Sequence, residues 1–261
     1  MIRMLLAATL LATPVLAAGA YDAILAGDWR SPANKARDQY RHPAETLGFF
    51  GLKPNMTVVE ISPSGGWYTE VIAPYVRDKG QYLGAGSNPA ASANAAAGVA
   101  RFTAKLADKP MVYGKAQVTV FAKDKCDAAA PGSADMVLTF RNVHNWHMAG
   151  WDQAAFDCMF KALKPGGVLG VEEHRLPEDR PDAQMKTSGY MKVSYVKALA
   201  EKAGFKLAGS SEINANPKDT KDYADGVWTL PPTLQKGDVD RAKYLAIGES
   251  DRMTLKFVKP K

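Results

Sequence analysis

The chain has 261 residues, 46% hydrophobic and 23% charged, with a net charge of +6. That composition excludes a disordered chain and allows one α/β domain with additions, or at most two small domains. Its Lys and Arg are dispersed, with no long basic run and no aromatic–basic motif, which argues against nucleic acid as the main partner.

Residues 1–18 read as an export signal: Arg3, an apolar run from Leu5 to Leu16, then Ala17 and Ala18. Cleavage is expected after Ala17, Ala18 or Ala20. Only Arg3 is lost among charged residues, so the net charge falls from +6 to +5. The apolar run is too short to span a bilayer. The mature chain, 19–261, is therefore expected to be periplasmic or secreted, with no integral membrane segment. Such an address permits a disulfide between Cys126 and Cys158, and two separate thiols are the other reading.

Residues 21–52 form a predicted helical cap. Ser31 reads as an N-cap with Pro32 at the first helical position, and Pro43 with Glu45 opens a helix ending near Gly51. A strand follows at 56–61, a helix at 66–77, a turn at 78–80 and a strand at 81–85. Residues 86–95 are rich in Ala, Ser, Asn and Gly and read as a loop. A helix is expected at 97–107, and strands at 118–121 and 135–140, the second almost wholly apolar, as buried parallel strands are. Trp151, Ala155, Phe156, Met159, Phe160 and Leu163 make a helical stripe over 151–163. Lys164-Pro165-Gly166-Gly167 stops that helix, and a strand runs from 168 to 171. Ser194 is read as the cap of a helix to about 203, before a strand at 205–212. Residues 213–250 form a polar segment of weak periodicity, and Thr254–Val258 is a last strand. The alternation predicts one domain with a mainly parallel sheet and right-handed crossovers.

The most informative stretch is Val58-Val59-Glu60-Ile61-Ser62-Pro63-Ser64-Gly65-Gly66-Trp67-Tyr68-Thr69. A β-branched run ends in an acid, then small residues lead into a helix, so backbone N–H groups can approach a nucleotide-like ligand. This segment resembles the first motif of class I S-adenosylmethionine-dependent methyltransferases. Strand 135–140 followed by Arg141-Asn142-Val143-His144-Asn145-Trp146 resembles their fourth-strand motif, and Leu163–Gly167 is similar to the segment before their fifth strand. Ala203-Gly204-Phe205 is like the turn before their sixth. The likeness covers roughly residues 45–212 and the last strand. Gly65–Glu70, the Arg-Asn-Val-His pattern and the exported N-terminus together resemble a group of bacterial proteins described as predicted methyltransferases.

The resemblance implies a Rossmann-like, doubly wound, mainly parallel seven-stranded sheet with helices on both faces and an N-terminal helical cap. It implies S-adenosylmethionine as cofactor and a small-molecule substrate. Glu60, Ser62, Ser64, Gly65, Gly66, Thr69 and Ser87 are the implied cofactor residues. The family's three loop glycines correspond here to Ser62, Ser64 and Gly66, and the acid that usually ends the second strand is missing from Leu83–Asn88. Ser87 or Asn88 then stands in for it at the ribose.

Of these, Glu60 either meets the amino-acid end of the cofactor or caps the loop, and Thr69 either bonds the cofactor carboxylate or is an ordinary first-turn residue. Groups beyond the carboxyl ends of strands serve chemistry in open α/β sheets. His144 is either a general base or a histidine satisfied by a backbone carbonyl, Arg141 orients an anionic substrate, and Glu173 is the candidate carboxylate of the Glu172-Glu173-His174-Arg175 cluster. His144, His174 and Glu172 are metal-ligand types, but no metal is assigned to the site. Asp38, Arg41 and His42 in the cap, and Tyr190 near Met191, are candidate lid residues over the crevice. The leading reading is a methyltransferase acting on a small acceptor. The alternative is a non-catalytic or repurposed exported small-molecule-binding protein on the same fold.

Overall fold

The computed structural model describes residues 18–261. The expected export signal lies, but for Ala18, outside the described residues. Four short helices open the chain: α1 (Ala18–Ala26), α2 (Pro32–Lys35), α3 (Asp38–Arg41) and α4 (Pro43–Phe50). The Ser31 hydroxyl caps α2 by accepting from the Asn34 N–H at 3.1 Å, and Gly51 ends α4 at a φ of 86°.

The strands are β1 (Thr57–Ile61), β2 (Gln81–Gly86), β3 (Gln117–Ala122), β4 (Lys125–Asp127), β5 (Ala134–Phe140), β6 (Leu163–Leu176), β7 (Met191–Lys192), β8 (Lys206–Ser211) and β9 (Arg252–Val258). They form one nine-stranded sheet in the order β4-β3-β2-β1-β5-β6-β9-β8, with β7 paired to β6. The doubly wound plan is as expected, but the strand count is nine rather than seven. The additions are the β4 arm of a hairpin and the two-residue β7, both too short for a periodic signal. β1, β2, β3, β5 and β6 run parallel, whereas β9 is antiparallel to both β6 and β8.

Strand β1 sits between β2 and β5, and the winding reverses there. A crevice opens at such a switch point beyond the carboxyl ends of the strands. Alternation along β5 divides the core: Met136 and Leu138 pack with Leu47, Phe50, Val71 and Ile72, whereas Val137 packs with Phe156, Met159 and Val196. The remaining helices are α5 (Thr69–Val76), α6 (Ala93–Asp108), α7 (Pro110–Tyr113), α8 (Val143–Met148), α9 (Asp152–Ala162), α10 (Met185–Ser188), α11 (Val193–Lys202) and α12 (Arg241–Ile247).

Several boundaries differ from the sequence reading. Helix α5 begins at Thr69, not 66, because Ser62, Ser64 and Gly66 take left-handed backbone at φ 50°, 54° and 77° and hold the loop out of the helix. Helix α6 begins at Ala93, because the Ser92 hydroxyl accepts from the Ala95 N–H at 3.1 Å. Ser194 is not a cap: it lies inside α11, where Glu178 accepts from its N–H and hydroxyl. Within 213–250, α12 and a 3-10 turn at Gly226–Thr229 are ordered elements. Cys126 and Cys158 are bonded, their Cα atoms 5.8 Å apart, and pin the β3–β4 hairpin to α9. No helix among the described residues is long and apolar enough to cross a membrane.

Candidate active site

Two cavities meet at the β1–β5 switch point. The outer cleft, about 870 Å³, runs along Ser62–Gly65, Gly86–Asn88, the N-terminal half of α6 and Phe121–Asp124. The inner chamber, about 250 Å³, lies behind the β1 loop. It is closed by Arg41 from α3, Tyr68, Phe140–His144, His174 and the Val227–Thr233 segment. Ser62, Pro63, Ser64, Asn142 and Asn145 border both.

The backbone is strained where the cavities join. Ser62, Ser64 and Arg141 all line the inner chamber with positive φ, Arg141 at 59°. Each such residue without glycine's freedom costs roughly 1–2 kcal/mol. Arg141 is held there by its N–H, which donates to the Glu172 carbonyl at 2.7 Å.

Glu60 ends β1 with its carboxylate buried. Thr69 and Tyr82 both donate to Oε2, at 2.8 and 2.6 Å. Burial pushes the Glu60 carboxyl up to about 7, and the two hydroxyl bonds pull against that rise. Thr69 is fully buried and borders neither cavity, so its hydroxyl is occupied in orienting Glu60. Gly66 also borders neither cavity, and a Cβ there would stand 2.9 Å from Lys105. Ser62 and Ser64 border both cavities, and Gly65 and Ser87 border the outer cleft.

His144, Arg141 and Glu173 come together. Glu173 Oε1 lies 2.9 Å from His144 Nδ1, and Glu173 also accepts from the backbone N–H groups of His144 and His174 at 3.3 and 2.8 Å. A proton on Nδ1 then faces the carboxylate and leaves Nε2 as the acceptor. His174 stands beside it, ring centroids 5.2 Å apart, with Nδ1 2.5 Å from the Ser250 hydroxyl. Burial, then the charges of His144, Arg141, Arg252 and Arg41, push the His174 imidazole well below its usual value, so it is neutral near pH 7.

Neighbouring acids of the same strand do different jobs. Glu172 turns to the opposite side of the sheet, accepting from Tyr68 at 2.8 Å and pairing with Arg252 at 2.8 Å. It is therefore Glu173, not Glu172, that joins His144 and His174, with one potential ligand atom each, all within 4.8 Å. Glu249 ties the arginines: it meets Arg37 at 2.6 Å, Arg41 at 3.0 Å and Arg252 at 3.4 Å. Burial works to raise the Glu249 carboxyl, but Arg41, Arg252, Arg141 and Arg37 outweigh it and hold the group down at about 2.

Neither a family model nor a curated protein matches the sequence. Solved structures match over most of its length. An S-adenosylmethionine-dependent methyltransferase from Aquifex aeolicus gives a TM-score of 0.59 at 14% identity, over 88% of this chain and 94% of that one. The fold is that of the class I methyltransferases. The [4+2]-cyclase SpnF gives 0.59 at 16% identity, over 90% and 84%. CrArsM, an arsenic(III) S-adenosylmethionine methyltransferase from Chlamydomonas reinhardtii, gives 0.52 at 15% identity, over 81% and 65%. Likeness at these identities reaches the fold, and a cyclase among the matches shows that this methyltransferase fold carries more than one chemistry.

On this fold, several residues that border the two cavities carried no signal in the sequence reading. Asp124, in the β3–β4 turn, borders the outer cleft and accepts from Asn88 Nδ2 at 2.9 Å. It brings a carboxylate to the end of β2, where the sequence offers none. Trp228 and Pro231–Thr233 close the chamber from a segment without periodicity, and Glu249 and Arg252 join its arginines from the far end of the chain.

Proposed function

We propose that the protein is an S-adenosylmethionine-dependent methyltransferase acting on a small acceptor, with the adenosyl part of the cofactor in the outer cleft, its amino-acid end reaching past Ser62–Ser64 to Glu60, and the acceptor in the inner chamber. The observation that carries this reading is the His144–Glu173 pair, whose imidazole borders the chamber just behind the wall that the two cavities share. The outer cleft fits the group. Its volume of about 870 Å³ lies in the range of small-ligand sites, roughly 300–1,000 Å³. Small residues, Ser62–Gly65 and Gly86–Ser87, let backbone approach a ligand, and Asp124 with Asn88 offers polar partners for ribose hydroxyls.

Bound there, S-adenosylmethionine supplies an electrophilic methyl group. The chain's own residues do the rest. Glu60, held by Thr69 and Tyr82, presents its free Oε1 toward an amino group. Ser62, Ser64, Gly65 and Ser87 position the ligand, and Arg141 orients the acceptor. His144 Nε2 takes the acceptor's proton, while Glu173 fixes the tautomer and steadies the resulting imidazolium. Trp228 and Phe140 border the chamber and exclude water, and most of the rate comes from holding the reacting groups in line. The Cys126–Cys158 bond supports an address outside the reducing cytosol, and so the periplasmic or secreted location.

A second reading, a repurposed exported binding protein, is favoured by Ser62 and Ser64 at glycine positions with strained φ, and by the acid missing from β2. Titration with S-adenosylmethionine and S-adenosylhomocysteine decides between them. Micromolar binding that is lost together with turnover in Glu60→Ala, and kept in His144→Ala while turnover falls, supports the enzyme. No binding at millimolar ligand leaves the second reading.

A further inference from the structure

The inner chamber is positively charged beyond what its carboxylates neutralise. Arg41 is 1% exposed, its guanidinium lies 4.6 Å from the Trp67 ring centroid, and its Nε is tethered to Glu249. Its Nη1 and Nη2 are buried with no hydrogen-bond partner, and Arg41 lines the chamber. Arg141 also lines the chamber, with a buried Nε that has no partner. Unmade donors of this kind are rare in a folded interior and call for an explanation.

The charges around the pair do not balance. Arg37, Arg41, Arg141 and Arg252 share Glu172 and Glu249, four guanidiniums against two carboxylates. Glu60 lines the same chamber with its carboxyl pushed up to about 7, and Glu173 is turned to His144 and to two backbone N–H groups. Burial and then the charge of Arg141 lower Arg41 to about 9, and burial lowers Arg141 as well. A guanidinium resists losing its proton, and a bound anion removes that penalty. The same excess opposes a divalent cation on His144, Glu173 and His174, although their spacing would suit one.

We propose that the inner chamber binds a small oxyanion, a carboxylate or phosphate group gripped between Arg41 and Arg141. The Nη edge of Arg41 matches two oxygens of such a group, and Arg141 Nε offers a third donor. The neutral His174 imidazole adds no repulsion. At about 250 Å³ the chamber holds the anionic group with a few further atoms. The anion site stands on the arginine geometry alone. Its assignment to the methyl acceptor, as the handle that brings a nucleophile beside His144, rests on the methyl-transfer reading.

Calorimetric titration of the full-chain protein with inorganic phosphate and, separately, with malonate tests this. The expected result is saturable one-to-one uptake of at least one of them, with a matching rise in melting temperature. Which one binds separates a phosphate from a carboxylate handle. Arg141→Gln and Arg41→Gln should each weaken uptake roughly ten- to hundredfold. Because Arg41→Gln also loosens Glu249, Arg41→Lys is run beside it. It keeps the charge, should melt near the wild type, and should still bind more weakly for want of the fork. No uptake of either anion at millimolar concentration overturns the proposal, as does uptake unchanged in a folded Arg141→Gln. A tightly held divalent cation whose chelation abolishes uptake overturns it too, since the anion would then be the metal's ligand. S-adenosylhomocysteine titrated into the same samples keeps the two readings apart. Anion uptake without adenosyl binding removes methyl transfer and leaves the chamber, and the reverse result removes the chamber alone.

Discussion

The outer cleft and the inner chamber share a wall, yet they are built in different ways. One wall of the cleft is local: the β1 loop, the β2 terminus and the start of α6 follow one another within residues 62–105, with small side chains at the β1 loop and the β2 terminus, while Phe121–Asp124, Trp146 and Trp151 close the other side. The chamber is assembled from distant parts of the chain. Arg41 meets Glu249 across 208 residues, and Tyr68 meets Glu172 across 104. A wall of backbone and small residues costs the fold only the local strain at Ser62 and Ser64. One of buried arginines and carboxylates holds only as a complete set, because each member lost leaves a partner charged and unpaired.

That contrast sets the size of the expected effects. Glu249→Gln should be the most damaging, since Arg37, Arg41 and Arg252 lose their common carboxylate. Urea titration should show a loss of roughly 3–5 kcal/mol, and a loss below about 1 kcal/mol would mean the network contributes little. Acid should act through the same group. With its folded value near 2 against an ordinary 4.5, Glu249 contributes stability that is fully present above about pH 4.5 and is lost as pH falls toward 2. The wild type should therefore lose stability over that window more steeply than Glu249→Gln does.

Next comes the disulfide. It closes a loop of 32 residues, and Cys158→Ala should cost roughly 3–4 kcal/mol on the chain-entropy view. It should also weaken adenosyl binding, because the freed hairpin carries Asp124. Unchanged affinity in the folded variant would separate the hairpin from the site. Asp124→Ala is expected to lower affinity for S-adenosylhomocysteine about tenfold while the melting temperature stays put. If affinity holds, Asp124 only braces Asn88. The smallest effect belongs to Ser62→Gly, which relieves a φ of 50° and should stabilise the protein by up to about 1 kcal/mol in the same urea assay. A loss instead would show that the Ser62 side chain makes a contribution the backbone angle hides.

Local regularities explain what could be read from the sequence. The β1–loop–α5 segment, the apolar β5 strand and the α9 stripe each announce themselves within about a dozen residues, and together they fix the doubly wound sheet. His144 and Glu173 were each legible as residues near the carboxyl ends of strands, but their contact was not. Asp124 was not, since nothing in a Lys-Asp-Lys turn says that a disulfide will hold it beside Asn88. Nor could Trp228, Glu249 and Arg252 be placed, because their positions depend on a 3-10 turn, an α12 helix and an antiparallel last strand that join only in three dimensions. The choice of Glu173 over Glu172 depends on the neighbour each carboxylate meets, Tyr68 and Arg252 for Glu172 and His144 for Glu173, which a run of four polar residues does not reveal.

The most direct measurement is a crystal structure of the protein grown with S-adenosylhomocysteine and inorganic phosphate together. The predicted result is the adenosyl group along Gly86–Asn88 and Phe121–Asp124, with Glu60 at its amino-acid end and a phosphate between Arg41 and Arg141. An adenosyl group in the inner chamber, or a phosphate elsewhere with both arginines still unpartnered, would contradict the division of the site into a cofactor cleft and an anion chamber.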